Sequence, residues 1–170
     1  VFDTHTHADH ISCAYELARL TDAPWVLHRD SPSPRIDIRS SRDARWPSRA
    51  APFKILMTPG HTPDGTTLCW GPWVMTGDTL FVDDTGRNDL PGGDPETHFE
   101  TIEKYKKVLD ASQWILPGHD GKGGRIAPWA TVLEINPMLK MDRATFVREA
   151  GSYVGPSPKQ LKESLYENFR

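Results

Sequence analysis

The stretch Thr4-His5-Thr6-His7-Ala8-Asp9-His10 places three histidines and an aspartate within six positions, directly after Val1-Phe2-Asp3, which reads as the end of a buried strand. Side chains alternate along an extended backbone, so His5 and His7 point to one side, while Asp9 and His10 on the following turn can face a neighbouring point. Imidazole and carboxylate are ligands for zinc, iron or manganese. Alone, the run also fits a polar loop or a tag-like cluster. Three later segments repeat the theme. Thr58-Pro59-Gly60-His61-Thr62 follows an apolar run, Thr76-Gly77-Asp78-Thr79 follows a hairpin, and Leu116-Pro117-Gly118-His119-Asp120 follows another strand-like run. Each sets a potential ligand beside a glycine just past a strand end, where ligands from separate strands can converge.

The strand-length apolar runs are Pro24–His28, Phe53–Thr58, Thr66–Trp70, Trp73–Thr76 and Trp114–Leu116, each bounded by Gly, Pro or Asp. Gly71-Pro72 predicts a hairpin. Helices are predicted at Ser12–Leu20 and after Asp94-Pro95, an N-cap followed by proline at the first helical position, with Phe99, Ile102, Tyr105 and Leu109 on one face. Further helices are expected over Pro128–Ile135, from the Asp142 cap to Ala150 with Gly151 as stop, and after Ser157-Pro158-Lys159-Gln160, which has capping-box spacing. Residues 31–51, rich in Ser, Pro, Arg and Asp, read as a surface loop with at most a short strand at Arg35–Ile38. Strands mixed with helices suggest a layered α/β sandwich.

Composition bounds the partners. The 170 residues allow one domain of ordinary size, residues 1–170, and Leu, Ile, Val and Phe supply only 35 of them, a thin core for that length. A net charge of −3 argues against a dedicated nucleic-acid binder, and no apolar run approaches the roughly 20 residues of a transmembrane helix. Two cysteines, Cys13 and Cys69, are too few for a disulfide framework, which fits a reducing compartment. No Met precedes Val1, so the domain is expected to be partial at its N-terminus. Phe2 is expected in the middle of a sheet that another polypeptide or a preceding segment completes. Cys13 is read as a small buried thiol and Cys69 as core. His28 and His98 read as surface or core histidines, and Trp25, Trp70, Trp73 and Trp114 as packing residues.

His5, His7, Asp9, His10, His61, Asp78 and His119 together resemble the H-x-H-x-D-H, His, Asp, His pattern of the metallo-β-lactamase superfamily. TPGHT, TGDTLF, Gly86-Arg87-Asn88-Asp89-Leu90, LPGHD, Asn136-Pro137-Met138-Leu139 and the tail from Pro158-Lys159-Gln160-Leu161 to Asn168-Phe169-Arg170 look most like its persulfide dioxygenase branch. The resemblance implies an αββα sandwich, here N-terminally truncated. It implies one Fe(II) per chain on His5, His61 and Asp78, with His7 beside this metal-binding set. Asp9, His10 and His119 would be the surrounding catalytic groups that orient ligands and move protons. Arg87 would bind an anionic substrate tail or brace Asp89. The implied reaction oxidises glutathione persulfide or a similar thiol persulfide with O2 to sulfite and thiol. The implied setting is the cytoplasm, or the mitochondrial matrix of a eukaryote, with no membrane or nucleic-acid partner and with self-association into a homo-oligomer or pairing with a missing N-terminal segment. The chain departs from the family at Pro63-Asp64-Gly65, where Gly often follows TPGHT, and at Ser12-Cys13, where many relatives carry Gly.

Two other readings stay open. A hydrolase of the same fold, such as a hydroxyacylglutathione thioesterase, would hold two zincs sharing Asp78, with Asp9, His10 and His119 completing the second site. Only 51 residues follow His119, short for that family's helical substrate domain. The third reading is an inactive fragment with an incomplete site.

Overall fold

The computed structural model describes residues 1–41, 43–46, 52–119 and 126–169. Asp120, Arg170 and part of the 31–51 segment, which the sequence reading includes, lie outside them.

A six-stranded mixed sheet carries the larger core. Its strands are β3 (Ala44–Trp46), β4 (Phe53–Met57), β5 (Thr66–Trp70), β6 (Trp73–Gly77), β7 (Trp114–Pro117) and β8 (Ala127–Pro128), paired in that order. The pairing is antiparallel except between β6 and β7, which run parallel. The β5–β6 hairpin turns at Gly71-Pro72, with Trp70 opposite Trp73 and Gly71 at φ 56°, a conformation a Cβ disfavours. Two parallel strands, β1 (Val26–His28) and β2 (Ile38–Ser40), form a smaller sheet, and Phe2 bridges to Val26 at its edge.

Each sheet has its helices. α1 (Ala14–Thr21) closes a small core of Ala14, Ala18, Trp25, Leu27 and Ile36 over β1. α2 (Pro95–Val108) makes the crossover from β6 to β7. Its Asp94 cap accepts from Glu96 N and Thr97 N, and Ile102 and Tyr105 are fully buried against Leu56, Val74 and Ile115. α3 (Trp129–Ile135) and α4 (Arg143–Ser152) add Trp129, Val132, Phe146 and Ala150 to the same core. A 3-10 turn at Pro137–Lys140 joins them, and α5 (Leu161–Phe169) closes the described chain.

Several sequence expectations are corrected. The 31–51 segment is not simply a surface loop: it contains β2 and β3, and Ser31, Ser33, Ile36 and Ser40 are buried. Arg39 supports this arrangement by donating to the carbonyls of Arg29, Ser31 and Ser33. The short strand falls at Ile38–Ser40 rather than Arg35–Ile38. Gly151 does not stop α4, which runs on to Ser152, because Gly151 keeps negative φ and the chain leaves the helix at Tyr153 in extended backbone. α5 starts at Leu161, with Leu161 N bonded to Pro158 O, so Ser157 does not cap it.

Phe2 pairs with Val26 on one side, at an edge of the smaller sheet among the described residues. Cys13 is exposed at the N-cap of α1, whereas Cys69 packs against the core, where burial pushes its thiol up to about 11. His28 and His98 are both buried. Trp25 is a packing residue. Trp70 and Trp114 remain well exposed where the hairpin end of the sheet meets water, although Trp114 contacts the Trp73 ring at 6.3 Å. No helix among the described residues is long and apolar enough to cross a membrane.

Candidate metal centre

The His5–His10 loop is tied to both sheets. Asp3 N donates to Val26 O on one side, while Thr4 O accepts from Thr66 N and Thr66 Oγ1, both at 2.7 Å, on the other. Thr6 donates through its backbone N (3.0 Å) and its hydroxyl (2.5 Å) to Oδ2 of buried Asp64. From α5, Asn168 Nδ2 donates to the carbonyls of His7 and His10, both at 2.9 Å, and its Oδ1 accepts from Ser12 N. The loop thus presents its imidazoles from a backbone satisfied by three separate elements.

His61 follows β4 on a tight turn. Gly60 sits at φ 136° and so close to α2 that a Cβ would lie 2.3 Å from His98 Cα, so nothing larger than glycine fits. Asp78 follows β6, and a Cβ on Gly118 would fall 2.5 Å from its Oδ1. Glycines beside the ligands therefore act as spacers that let strand ends crowd together.

Ligand atoms of His5, His61 and Asp78, all three buried, lie within 4.8 Å of one another. His5 Nε2 and His61 Nε2 stand 4.0 and 3.8 Å from Asp78 Oδ2, too far to hydrogen-bond. A metal ion with bonds of about 2.1 Å can reach all three. The other ring nitrogens are occupied: His61 Nδ1 donates to Arg87 O at 2.7 Å, and His5 Nδ1 shares a hydrogen bond with Thr4 Oγ1 at 3.0 Å. For His61 that arrangement leaves the Nε2 lone pair directed at the cluster, and the Thr4 hydroxyl fixes the His5 ring with its Nε2 facing the same point, as outer partners do at metal sites. Burial, and then the neighbouring His7, His61, His10 and His119, hold the His5 pKa well below its ordinary value, so its ring is neutral and able to ligate. Burial pushes Asp78 upward, and its Oδ1 has no hydrogen-bond partner among the described residues. A buried carboxylate oxygen without a partner among the described residues is a costly arrangement without a cation, and the donor set fits one.

The other ligand-type residues form a second, more open group. His7, Asp9 and His10 also have ligand atoms within 4.8 Å of one another, so His7 groups with them, and its Nδ1 is buried without a partner among the described residues. His10 Nδ1 lies 2.9 Å from Asp9 Oδ1, and His119 Nε2 lies 3.0 Å from Asp9 Oδ2 and 3.4 Å from Asp78 Oδ2. Partial burial raises the Asp9 pKa, but the His10 hydrogen bond and charge outweigh it, and the net shift is downward. Asp78 Oδ2 thus faces both groups.

Arg87 stands apart from the metal cluster. Nε and Nη2 donate to the two oxygens of Asp89 at 2.5 and 2.6 Å, and Nη1 and Nη2 donate to Pro156 O and Gly155 O. The guanidinium thus braces Asp89 and the backbone at 155–156.

Two residues with evident structural work here, Asp64 and Asn168, received no role from the sequence. Asp64 was visible as a departure from the family glycine. Asn168 lay in a tail that resembles the family but is distant from the ligands along the chain.

No family model matches the chain. Its structure superposes on that of ETHE1 from Myxococcus xanthus with a TM-score of 0.93 at 29% identity, covering 99% of this chain and 75% of that one. A metallo-β-lactamase from Staphylococcus aureus superposes with a TM-score of 0.85 at 23% identity, covering 98% of this chain and 56% of that one. The chain belongs to the metallo-β-lactamase superfamily. Its α/β architecture is that superfamily's fold. Among superfamily relatives, the human mitochondrial persulfide dioxygenase ETHE1 is 28% identical over 181 residues, covering 99% of this chain and 67% of that protein. The hydroxyacylglutathione hydrolase of Anaeromyxobacter dehalogenans is 31% identical over 163 residues, covering 95% of this chain and 63% of that protein. A β-lactamase hydrolase-like protein of Xylella fastidiosa is 29% identical over 199 residues, and the chain spans 45% of its length.

Proposed function

We propose that the chain is an iron-dependent dioxygenase of thiol persulfides. The observation that carries the reading is the inequality of the two ligand groups. His5, His61 and Asp78 form a buried set of two imidazoles and one carboxylate, the composition of non-haem Fe(II) oxygenase sites that keep open positions. Asp9, His10 and His119 are exposed and already paired with one another. The likeness to the persulfide dioxygenases supports the same reading.

Iron bound there would supply the redox chemistry by which a persulfide, O2 and water become a thiol, sulfite and two protons. The protein's own share is binding and proton handling. Thr4 and Arg87 O fix the His5 and His61 rings through Nδ1. His119 Nε2, between Asp9 Oδ2 and Asp78 Oδ2, can hold a proton at the open side of the site and pass it outward through Asp9 to His10 Nδ1.

Protein expressed with supplemental iron should contain a single iron per chain and consume O2 with a persulfide. Two tightly held zincs, with thioester hydrolysis and no O2 uptake, would overturn the proposal. The zinc hydrolase is the second reading because Asp78 Oδ2 faces both ligand groups, as a shared ligand would, and because of the likeness to the hydroxyacylglutathione hydrolase.

A further inference from the structure

We infer that the site takes a sulfur substrate with an uncharged, apolar tail in preference to the carboxylate-bearing tail of glutathione. The inference rests on the dioxygenase reading for its reaction but on the cavity for its specificity. A cavity of about 570 Å³, within the usual range for small-molecule sites, includes His5, His61, Asp78, Asp9 and His119 in its lining. Beyond these ligand groups, Phe81, Leu90, Met138, Met141, Ala150 and Tyr153 supply much of the wall. These come from the loop after β6, the 3-10 turn, α4 and the segment that follows it. Unbranched methionines re-pack around apolar groups of varied shape.

The charges in the lining point the same way. Apart from the metal-ligating groups, the acidic side chains are Asp84 and Glu149, and Arg87 is the one Lys or Arg among the described lining residues. Cationic donors suit the carboxylates of a glutathione tail best, and Arg87, the one such group among the described lining residues, is already engaged. Its forked donors meet both Asp89 oxygens, its remaining bonds go to Gly155 O and Pro156 O, and its guanidinium carbon lies 5.5 Å from the Tyr153 ring centre. A substrate carboxylate could take the fork only by displacing Asp89, which also holds Gly155 N two residues beyond Tyr153 of the wall. Arg148, next to Glu149 on α4, is likewise engaged by that glutamate.

Two measurements test this. With iron-loaded enzyme, O2 uptake on benzyl persulfide should show a kcat/KM roughly tenfold or more above that on glutathione persulfide. Independently of turnover, calorimetric titration of the metal-free protein should show benzyl methyl sulfide binding more tightly than S-methylglutathione. Met138→Arg, which puts an uncommitted cation in the apolar wall, should reduce or reverse both preferences, with circular dichroism confirming that the variant folds. Higher kcat/KM on glutathione persulfide, or tighter binding of S-methylglutathione, would overturn the inference. Absence of O2 uptake on either persulfide would defeat the dioxygenase reading instead, and the titration would still decide the tail preference.

Discussion

His5, His61 and Asp78 are buried, and the two rings are each fixed through the second nitrogen, whereas Asp9, His10 and His119 stand open to solvent and are satisfied chiefly by one another. The contrast separates two tasks within one cluster. Buried ligand atoms cannot turn to water, so without a cation they keep their full desolvation cost, and the fold has committed them to metal. Exposed groups can exchange partners at little cost, which suits proton transfer and product release. Whether the site behaves as one centre or two therefore depends on how far this physical asymmetry extends.

The harshest test removes a buried ligand. His61→Ala should abolish iron binding and reduce O2 uptake by well over the ~100-fold that losing an outer partner costs. Iron retained at full stoichiometry would break the division of tasks. A backbone test comes next. In Gly60→Ala the new Cβ meets α2 backbone at a positive φ, and stability should fall by about 3 kcal/mol. An unchanged melting temperature would show the buried half to be more compliant than its packing suggests.

Asp9→Asn probes the exposed half. Iron content should stay near that of the parent while activity falls by about 10- to 100-fold. Loss of metal comparable to that in His61→Ala would instead make Asp9 a ligand and favour the dinuclear hydrolase. A pH test concerns the floor beneath His61. Burial depresses the His98 pKa from 6.5 to about 4, while Nε2 donates to Thr79 O. The unfolded chain takes up a proton at His98 below pH 6.5, and the folded chain only near pH 4. His98 should therefore make stability rise with pH between those values, by up to about 1.4 kcal/mol per pH unit, and level off above 6.5. Urea melts of the parent and of His98→Gln across pH 4.5–7 should differ in slope. Parallel slopes would mean that His98 protonates without resistance.

His61, Asp78 and His119 were legible because each sits beside a glycine just past a strand-length apolar run, and His5–His10 because three histidines and an aspartate crowd into six positions. The Asp94-Pro95 cap and the Gly71-Pro72 hairpin were readable from strictly local chemistry. What escaped depends on distant partners. β2 and β3 are three residues each, and their neighbourhood is stabilised by Arg39 reaching back to three carbonyls, a pattern without periodicity. Arg87 sits in a motif that suggests either an anion site or a brace for Asp89, and the carbonyls that add to the Asp89 pair, those of Gly155 and Pro156, lie far along the chain. Trp70 and Trp114 look like core by residue type, but the hairpin end of the sheet leaves them uncovered.

Asn168 joins the last helix to the first loop, binding the carbonyls of His7 and His10 and the amide of Ser12. Coupling of this kind is reciprocal, since whatever α5 contributes to holding the loop in its ligating shape, a bound ion must return by holding α5 in place. The terminal helix is thus a gauge of occupancy as well as a clamp. Amide exchange along Leu161–Phe169 should slow when iron is added, and a fusion or cleavage that lifts this helix away would act as a metal-release lever operated from outside the site.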